Sequence, residues 1–299
     1  LKYDDFINLY SDILLAKKDI NQFIKFCETV LNTGHFSPEL FIKLLRQDFK
    51  KIKKQYLEVV ENIINKPTQF SNDVDKNAKQ ASANICLAEY HKKNNSKSEQ
   101  YFFKANDHIV KMQRAPIYAR QQMYLDLVSY FKEFDDQQIT KKIDTKKGEG
   151  LIFIVGMPRS GTTLTESILS TAEDIVAGGE KVFFTNNLWS IFSELKPDHK
   201  INPEFIEELG DRYLSTIEFH RNGALNFIDK MPANFLYYKF IKMALPSSKF
   251  IHVHRNSWDN AISLFKANYQ DTIIYSSSFF GIATEYSNYH HLMKFWEKQ

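Results

Sequence analysis

Cysteine is nearly absent from this sequence. Its 299 residues include two, Cys27 and Cys86, too few for a disulfide framework and without metal-ligand spacing. They read as reduced thiols packed as small apolar groups. Long apolar runs are missing too: no stretch of about 18 such residues occurs, which leaves no membrane-spanning helix. Charge of one sign is not in excess. A net charge of +3 does not call for nucleic acid, yet leaves room for a local basic pocket around an anion. The chain begins at Leu1 rather than Met and so reads as a fragment; the expected location is cytoplasmic. What is present, 43% hydrophobic and 25% charged residues, suits a globular protein with one large domain or two.

Residues 1–132 read as helices throughout. Apolar residues recur at helical spacing in Phe6, Leu9, Tyr10, Ile13 and Leu14, and again in Phe41, Leu44 and Leu45. Breakers separate the segments at Thr33-Gly34, Lys66-Pro67 and Lys93-Asn94-Asn95-Ser96. Segments with short connections suggest packed helix pairs, as in a solenoid. Only Ser82 to Lys111 matches a 34-residue tetratricopeptide pattern, with Leu87, Ala88, Tyr101, Phe102 and Ala105 as packing positions. From 133 to 150 apolar residues thin out and charges dominate. That stretch reads as a solvated linker, including Lys141, Lys142, Lys146 and Lys147.

Beyond Leu151 short β-rich runs alternate with helices. Candidate strands are Leu151–Val155, Asp174–Ala177, Leu225–Ile228 and Phe250–Val253. Candidate helices are Thr163–Ser170, Lys181–Phe192, Pro203–His220, Asn234–Ala244 and Trp258–Asn268. This alternation predicts an α/β domain over 151–299. It would be a P-loop-type parallel sheet with helices on both faces, preceded by the all-α domain and binding ligands at the carboxyl ends of its strands.

The strand Leu151–Val155 runs into Gly156-Met157-Pro158-Arg159-Ser160-Gly161-Thr162-Thr163. Its two glycines are spaced as in a phosphate-cradling loop, but the lysine of a nucleotide triphosphatase is missing and Thr162 stands in its place. Backbone N–H groups of Arg159, Ser160, Gly161, Thr162 and Thr163 would face an anion at the helix N-terminus. Each charge-assisted hydrogen bond there is worth about 1.5–3 kcal/mol, more than the dipole contribution of about 0.3–1 kcal/mol. Without the lysine, the loop suits a less charged group than a metal-bound triphosphate, such as a sulfuryl carried on a 5′-phosphate, with no metal required.

PRSGTT after an apolar strand resembles the 5′-phosphosulfate-binding loop of sulfotransferases, which use 3′-phosphoadenosine 5′-phosphosulfate. A second block, Phe250 to Tyr269, resembles the family's 3′-phosphate segment. There a strand ends in arginine and the next helix bears a serine eight residues on; Arg255 and Ser263 fill those positions. Two helical turns of 3.6 residues would let the guanidinium and hydroxyl converge on one phosphate. Phe227 to Pro232 is similar to a segment of the tetratricopeptide-containing sulfotransferases, relatives of the tyrosylprotein enzymes. Ala105-Asn106 and Leu292 to Trp296 are similar to that subfamily as well. The resemblance covers roughly Ser82 to the terminus, where the subfamily usually continues further. Asn256 and Ser257 replace the family's Asp-Pro, and His254 replaces a basic residue.

The resemblance implies sulfuryl transfer to a hydroxyl on a peptide, protein or glycan acceptor. Lys230 would stabilise the leaving group and Glu180 would act as general base, which a phenol with pKa near 10 requires. His252 and His254 are rivals for the base; strand alternation places both on one face, as packed rather than catalytic residues. The implied partners include the acceptor but no nucleic acid, and a homodimer is left open. Two other readings stand beside it: a P-loop small-molecule kinase, and a non-catalytic helical-repeat scaffold.

Overall fold

The computed structural model describes residues 3–66, 72–93, 98–112, 117–134, 136, 139, 142–192, 195, 200–267, 269 and 273–299. Pro67, Asn94, Asn95, Ser96, Lys141 and Asn268, named above, lie outside them. By proximity the chain divides into two compact units, residues 1–114 with 265–278, and residues 115–264 with 279–299. No helix among the described residues is long and apolar enough to cross a membrane.

The first unit contains six α-helices among its described residues: α1 (Tyr3–Ala16), α2 (Ile20–Asn32), α3 (Pro38–Gln47), α4 (Lys54–Asn65), α5 (Asp73–Lys93) and α6 (Glu99–Met112). Asp19 starts α2 by accepting a hydrogen bond from the Gln22 N–H, and Pro38 starts α3. Phe23, Leu40, Phe41, Leu44 and Tyr56 centre one core, which also takes in Cys27 and Cys86. Burial pushes the Cys27 thiol up to about 12 and Cys86 higher still, so both stay protonated and unreactive. Leu87, Ala88, Phe102 and Ala105 are buried where α5 packs against α6. In α1 the expected stripe is shifted. Phe6, Leu9 and Ile13 are exposed, and Ile7, Ser11 and Leu14 face the core. Two apolar stripes occur on that helix, and contact with α2 and α3 selects one.

The second unit is built on a four-stranded parallel sheet. It comprises α7 (Ile117–Lys132), β1 (Leu151–Gly156), α8 (Thr162–Leu169), β2 (Ile175–Ala177), α9 (Phe183–Phe192), α10 (Pro203–Arg221), β3 (Asn226–Asp229), α11 (Tyr238–Ala244), β4 (Lys249–Val253), α12 (Ser257–Phe265, its last residue counted with the first unit) and α13 (Phe279–Trp296). Strand order is β2-β3-β1-β4, with Leu151 opposite Phe227 and Phe153 opposite Phe250. β1 is apolar throughout because it is covered on both faces: Leu151, Phe153, Ile154 and Val155 are all buried. Phe153 meets Phe184 of α9 and Tyr213 of α10.

Two expectations are adjusted here. The single helix expected over Asn234–Ala244 is a 3₁₀ segment, Pro232–Tyr237, followed by α11. The tighter winding lets Asn234, Phe235 and Leu236 all be buried, with the segment packed on β1. The stretch read as a solvated linker is not free of the fold. Ile139 and Ile143 are buried, Lys147 pairs with Asp211 at 2.7 Å, and the Gly150 carbonyl accepts the Phe227 N–H.

One buried ion pair ties α7 to α13. Glu285, 2% exposed, takes two hydrogen bonds from Arg120, at 2.6 and 2.7 Å, and one from the Tyr124 hydroxyl at 2.7 Å. Removing a partner from such a group strands a buried charge. Arg120→Ala, which leaves the buried Glu285 carboxylate uncompensated, should lower the urea midpoint by an amount equivalent to about 3 kcal/mol; an unchanged midpoint would show that the pair is not stabilising.

Candidate functional site

The carboxyl ends of all four strands lie along one edge of the sheet, since every pair is parallel. From β1 the chain crosses to β2 on one side, whereas β4 pairs on the other. Such a change of direction opens a crevice at the strand ends. Gly156 begins the loop there. A Cβ at this position would sit 2.4 Å from the Val253 carbonyl, so only glycine permits so close an approach of β1 to β4. Arg159 has φ 68°, a left-handed conformation rare for a side chain of its size, and Gly161 has φ 108° as the N-cap of α8. Because no side chain caps α8, its first N–H groups are left for a ligand. Ser160 and Thr162 are buried beside them, whereas Thr163 is exposed. The Ser160 hydroxyl is buried without a hydrogen-bond partner among the described residues.

Arg255 and Ser263 meet this loop. The Arg159 Nε–H donates to Ser263 Oγ at 3.1 Å, and Arg255 Nη1 donates to the Arg159 carbonyl at 3.1 Å. Neither guanidinium has an acidic partner among the described residues. Two cations so placed, beside a hydroxyl, have the donor set of a phosphate site. Asn260, on α12 one turn before Ser263, donates from Nδ2 to the Pro158 carbonyl at 2.9 Å and pins the loop from behind. Asn256 accepts the Trp258 and Asp259 N–H groups and so begins α12.

Lys230 and Glu180 occupy the other side of the loop. Lys230 Nζ donates to Glu180 Oε1 at 2.6 Å; the lysine side chain is 8% exposed and the glutamate 56%. Gly178 lets β2 close on β3, since a Cβ there would strike the Phe227 ring and the Ile228 carbonyl. The next residue is held on both sides. The Gly179 N–H donates to Glu166 Oε1 at 2.9 Å, and the Gly179 carbonyl accepts the Lys230 N–H at 2.9 Å. Below Lys230, Asp229 is 1% exposed and accepts the Tyr213 hydroxyl at 2.9 Å. Burial drives the Asp229 carboxyl up to about 7, against the downward pull of Tyr213 and of the Lys181 amide and charge.

The two histidines face α13. His252 Nε2 bonds the Tyr289 hydroxyl, and His254 Nε2 bonds the Tyr286 hydroxyl at 2.9 Å. Desolvation, then the neighbouring His254, hold the His252 imidazole below its usual pKa. Both lie at the β4 edge, with β3 and β1 between them and the strand that leads to Glu180. A groove of about 410 Å³ adjoins them, lined by Trp258, Ala261, Phe279, Ile282 and Tyr286 among others.

The structure thus gathers Arg159, Ser160, Gly161, Thr162, Arg255 and Ser263 around one loop and sets Glu180 against Lys230. Glu166, Asn260 and the Tyr213–Asp229 pair were not singled out from the sequence. Asn260 had a faint signal, being three residues before Ser263 on the same helical face. Glu166 likewise lies one turn beyond Thr162 on α8.

Residues 152–299 match the model of the Sulfotransferase family. An uncharacterised protein of Aquifex aeolicus (strain VF5) is 27% identical over 251 residues, covering 78% of this chain and 31% of its own. A putative protein-tyrosine sulfotransferase of Caenorhabditis briggsae is 33% identical over 115 residues, 36% of this chain and 40% of its own. The chain therefore spans well under half the length of these curated relatives. No solved structure matches. The family match and the nematode relative support a sulfotransferase family.

The raised Asp229 value gives a pH test. Its folded pKa, about 7, lies above the ordinary 3.8. Folding therefore favours the protonated carboxyl, and the stability this group contributes at low pH is lost as pH rises from about 4 through about 7. Asp229→Asn should remove that decline, so urea midpoints taken at several pH values should increasingly favour the variant toward pH 7. Parallel curves for the two proteins would show that Asp229 ionises without cost in the fold.

Proposed function

We propose that this protein transfers a sulfuryl group from 3′-phosphoadenosine 5′-phosphosulfate to a hydroxyl of a peptide, protein or glycan acceptor. One observation carries the reading most: Arg159 bonds Ser263 and Arg255 bonds the Arg159 carbonyl, neither with an acidic partner among the described residues, at the rim of a loop that lacks the triphosphatase lysine. A second anion site beside the loop is what a nucleotide with a separate 3′-phosphate needs. The partnerless Ser160 hydroxyl and the uncapped start of α8 fit the 5′-phosphosulfate end.

In this scheme the phosphosulfate supplies the sulfuryl group and departs as adenosine 3′,5′-bisphosphate. Glu180 accepts the proton of the acceptor hydroxyl at a carboxylate oxygen. Lys230, desolvated and next to the loop, donates hydrogen bonds to the leaving phosphate oxygen as negative charge grows there. The N–H groups of Gly161 to Thr163 do the same, already oriented before reaction, whereas the Ser160 N–H is taken by the Met157 carbonyl. In the resting protein Lys230 Nζ and Glu180 Oε1 lie 2.6 Å apart. Arg159 and Arg255, with Ser263, hold the nucleotide. The helical unit, read as tetratricopeptide-like, serves acceptor presentation.

Arg159→Ala and Lys230→Ala should each abolish transfer of radiolabelled sulfate. Ser263→Ala should weaken adenosine 3′,5′-bisphosphate binding about tenfold in calorimetry, the loss of one hydrogen bond of about 1.4 kcal/mol. Preferential binding of ATP with Mg²⁺ would overturn the proposal in favour of a kinase. Bisphosphate binding with no turnover across an acceptor library would favour a scaffold.

A further inference from the structure

Glu166 is a buried carboxylate that the scheme above does not use. It is 8% exposed, and among the described residues no lysine or arginine pairs with it. A carboxylate in such a place is costly, and an apolar side chain would fill the space without that cost. Packing therefore does not explain it. Its hydrogen bond does: Oε1 accepts the Gly179 N–H at 2.9 Å.

Gly179 joins two parts of the site through its two flanking peptides. Gly179 directly precedes Glu180, and its carbonyl accepts the Lys230 N–H at 2.9 Å. Glu180 and Lys230 then close the ring through their side chains at 2.6 Å. Gly179 has φ 68° and open space where a side chain would stand, so neither its conformation nor its packing holds the turn. Glu166 itself sits on α8, four residues after Thr162 and one helical turn, about 6 Å, from the anion loop. The Glu166 carboxylate therefore joins the helix that follows the loop to the Glu180 turn.

We propose that Glu166 is a positioning residue: through the Gly179 amide it fixes Glu180 against Lys230 and links occupation of the anion loop to the placement of the base. The kinetic half of this inference rests on the sulfotransfer reading, but the structural half does not. A misplaced base near 1 Å off its position can cost about 100-fold in rate. Glu166→Ala should accordingly lower kcat about 100-fold while changing adenosine 3′,5′-bisphosphate affinity less than threefold. Glu166→Gln keeps an oxygen for the Gly179 N–H, and should restore kcat to within a few-fold of wild type.

The test is amide hydrogen exchange of the full chain, wild type against both variants, with no ligand present and then with adenosine 3′,5′-bisphosphate. Fast exchange confined to residues 177–182 is expected in Glu166→Ala, with slow exchange there in wild type and Glu166→Gln, and protection of that segment by the bisphosphate only where the link is intact. Identical exchange in wild type and Glu166→Ala overturns the proposal, as does faster exchange throughout the second unit, which would mark Glu166 as a general fold residue. A Glu166→Gln protein behaving like Glu166→Ala overturns it too, since charge rather than the hydrogen bond would then be at work. The ligand-free comparison needs neither acceptor nor turnover, so failure of the sulfotransfer reading would leave its outcome unaffected.

Discussion

The site depends on one constraint, that β1 is buried on both faces and paired in parallel on both sides. A strand so enclosed has no freedom in register, and its loop must leave where β3 and β4 also end. Residues from four distant stretches of chain are thereby delivered to one edge: the loop after β1, the turn after β2, Lys230 after β3 and Arg255 after β4. The loop itself is shaped by backbone conformation rather than by side-chain caps, with positive φ at Arg159 and Gly161. That arrangement leaves helix N–H groups unmet, which would be unfavourable in a loop with no anion to hold.

The cations along this edge are of two kinds. Lys230 is nearly buried and carries its own counter-charge, Glu180. Arg159 and Arg255 are exposed, where water offsets the cost of charge, and their hydrogen bonds go to a hydroxyl and a carbonyl. An incoming anion thus finds its cations free at one end of the loop and a self-neutralised acid–base pair at the other. Binding and proton transfer can be served by separate groups for this reason.

Beneath the pair lies a second layer of carboxylates. Burial pushes the Asp229 carboxyl up to about 7, with Tyr213 as its donor, and Glu166 holds the Gly179 N–H. Neither is exposed to a ligand. Their contribution is to the geometry of the residues above them, as outer-shell partners commonly orient those that do the chemistry.

What could be read from the residues alone was whatever depends on local pattern. The PRSGTT loop needs only a strand before it and a helix after it. Arg255 and Ser263 need only a spacing of eight on one helix start. The four strands agree with their expected positions to within a residue or so, because buried parallel strands are short apolar runs bounded by turns. Tertiary structure decided the rest. Which stripe of α1 is buried depends on α2 and α3. The 3₁₀ winding at Pro232–Tyr237 depends on packing against β1, and the 133–150 stretch docks through Ile143 and Lys147 despite its charge. Glu166 meeting Gly179, and Tyr213 meeting Asp229, are contacts between residues 13 and 16 apart in sequence. No helical or strand period relates such pairs, so only the folded sheet could bring them together.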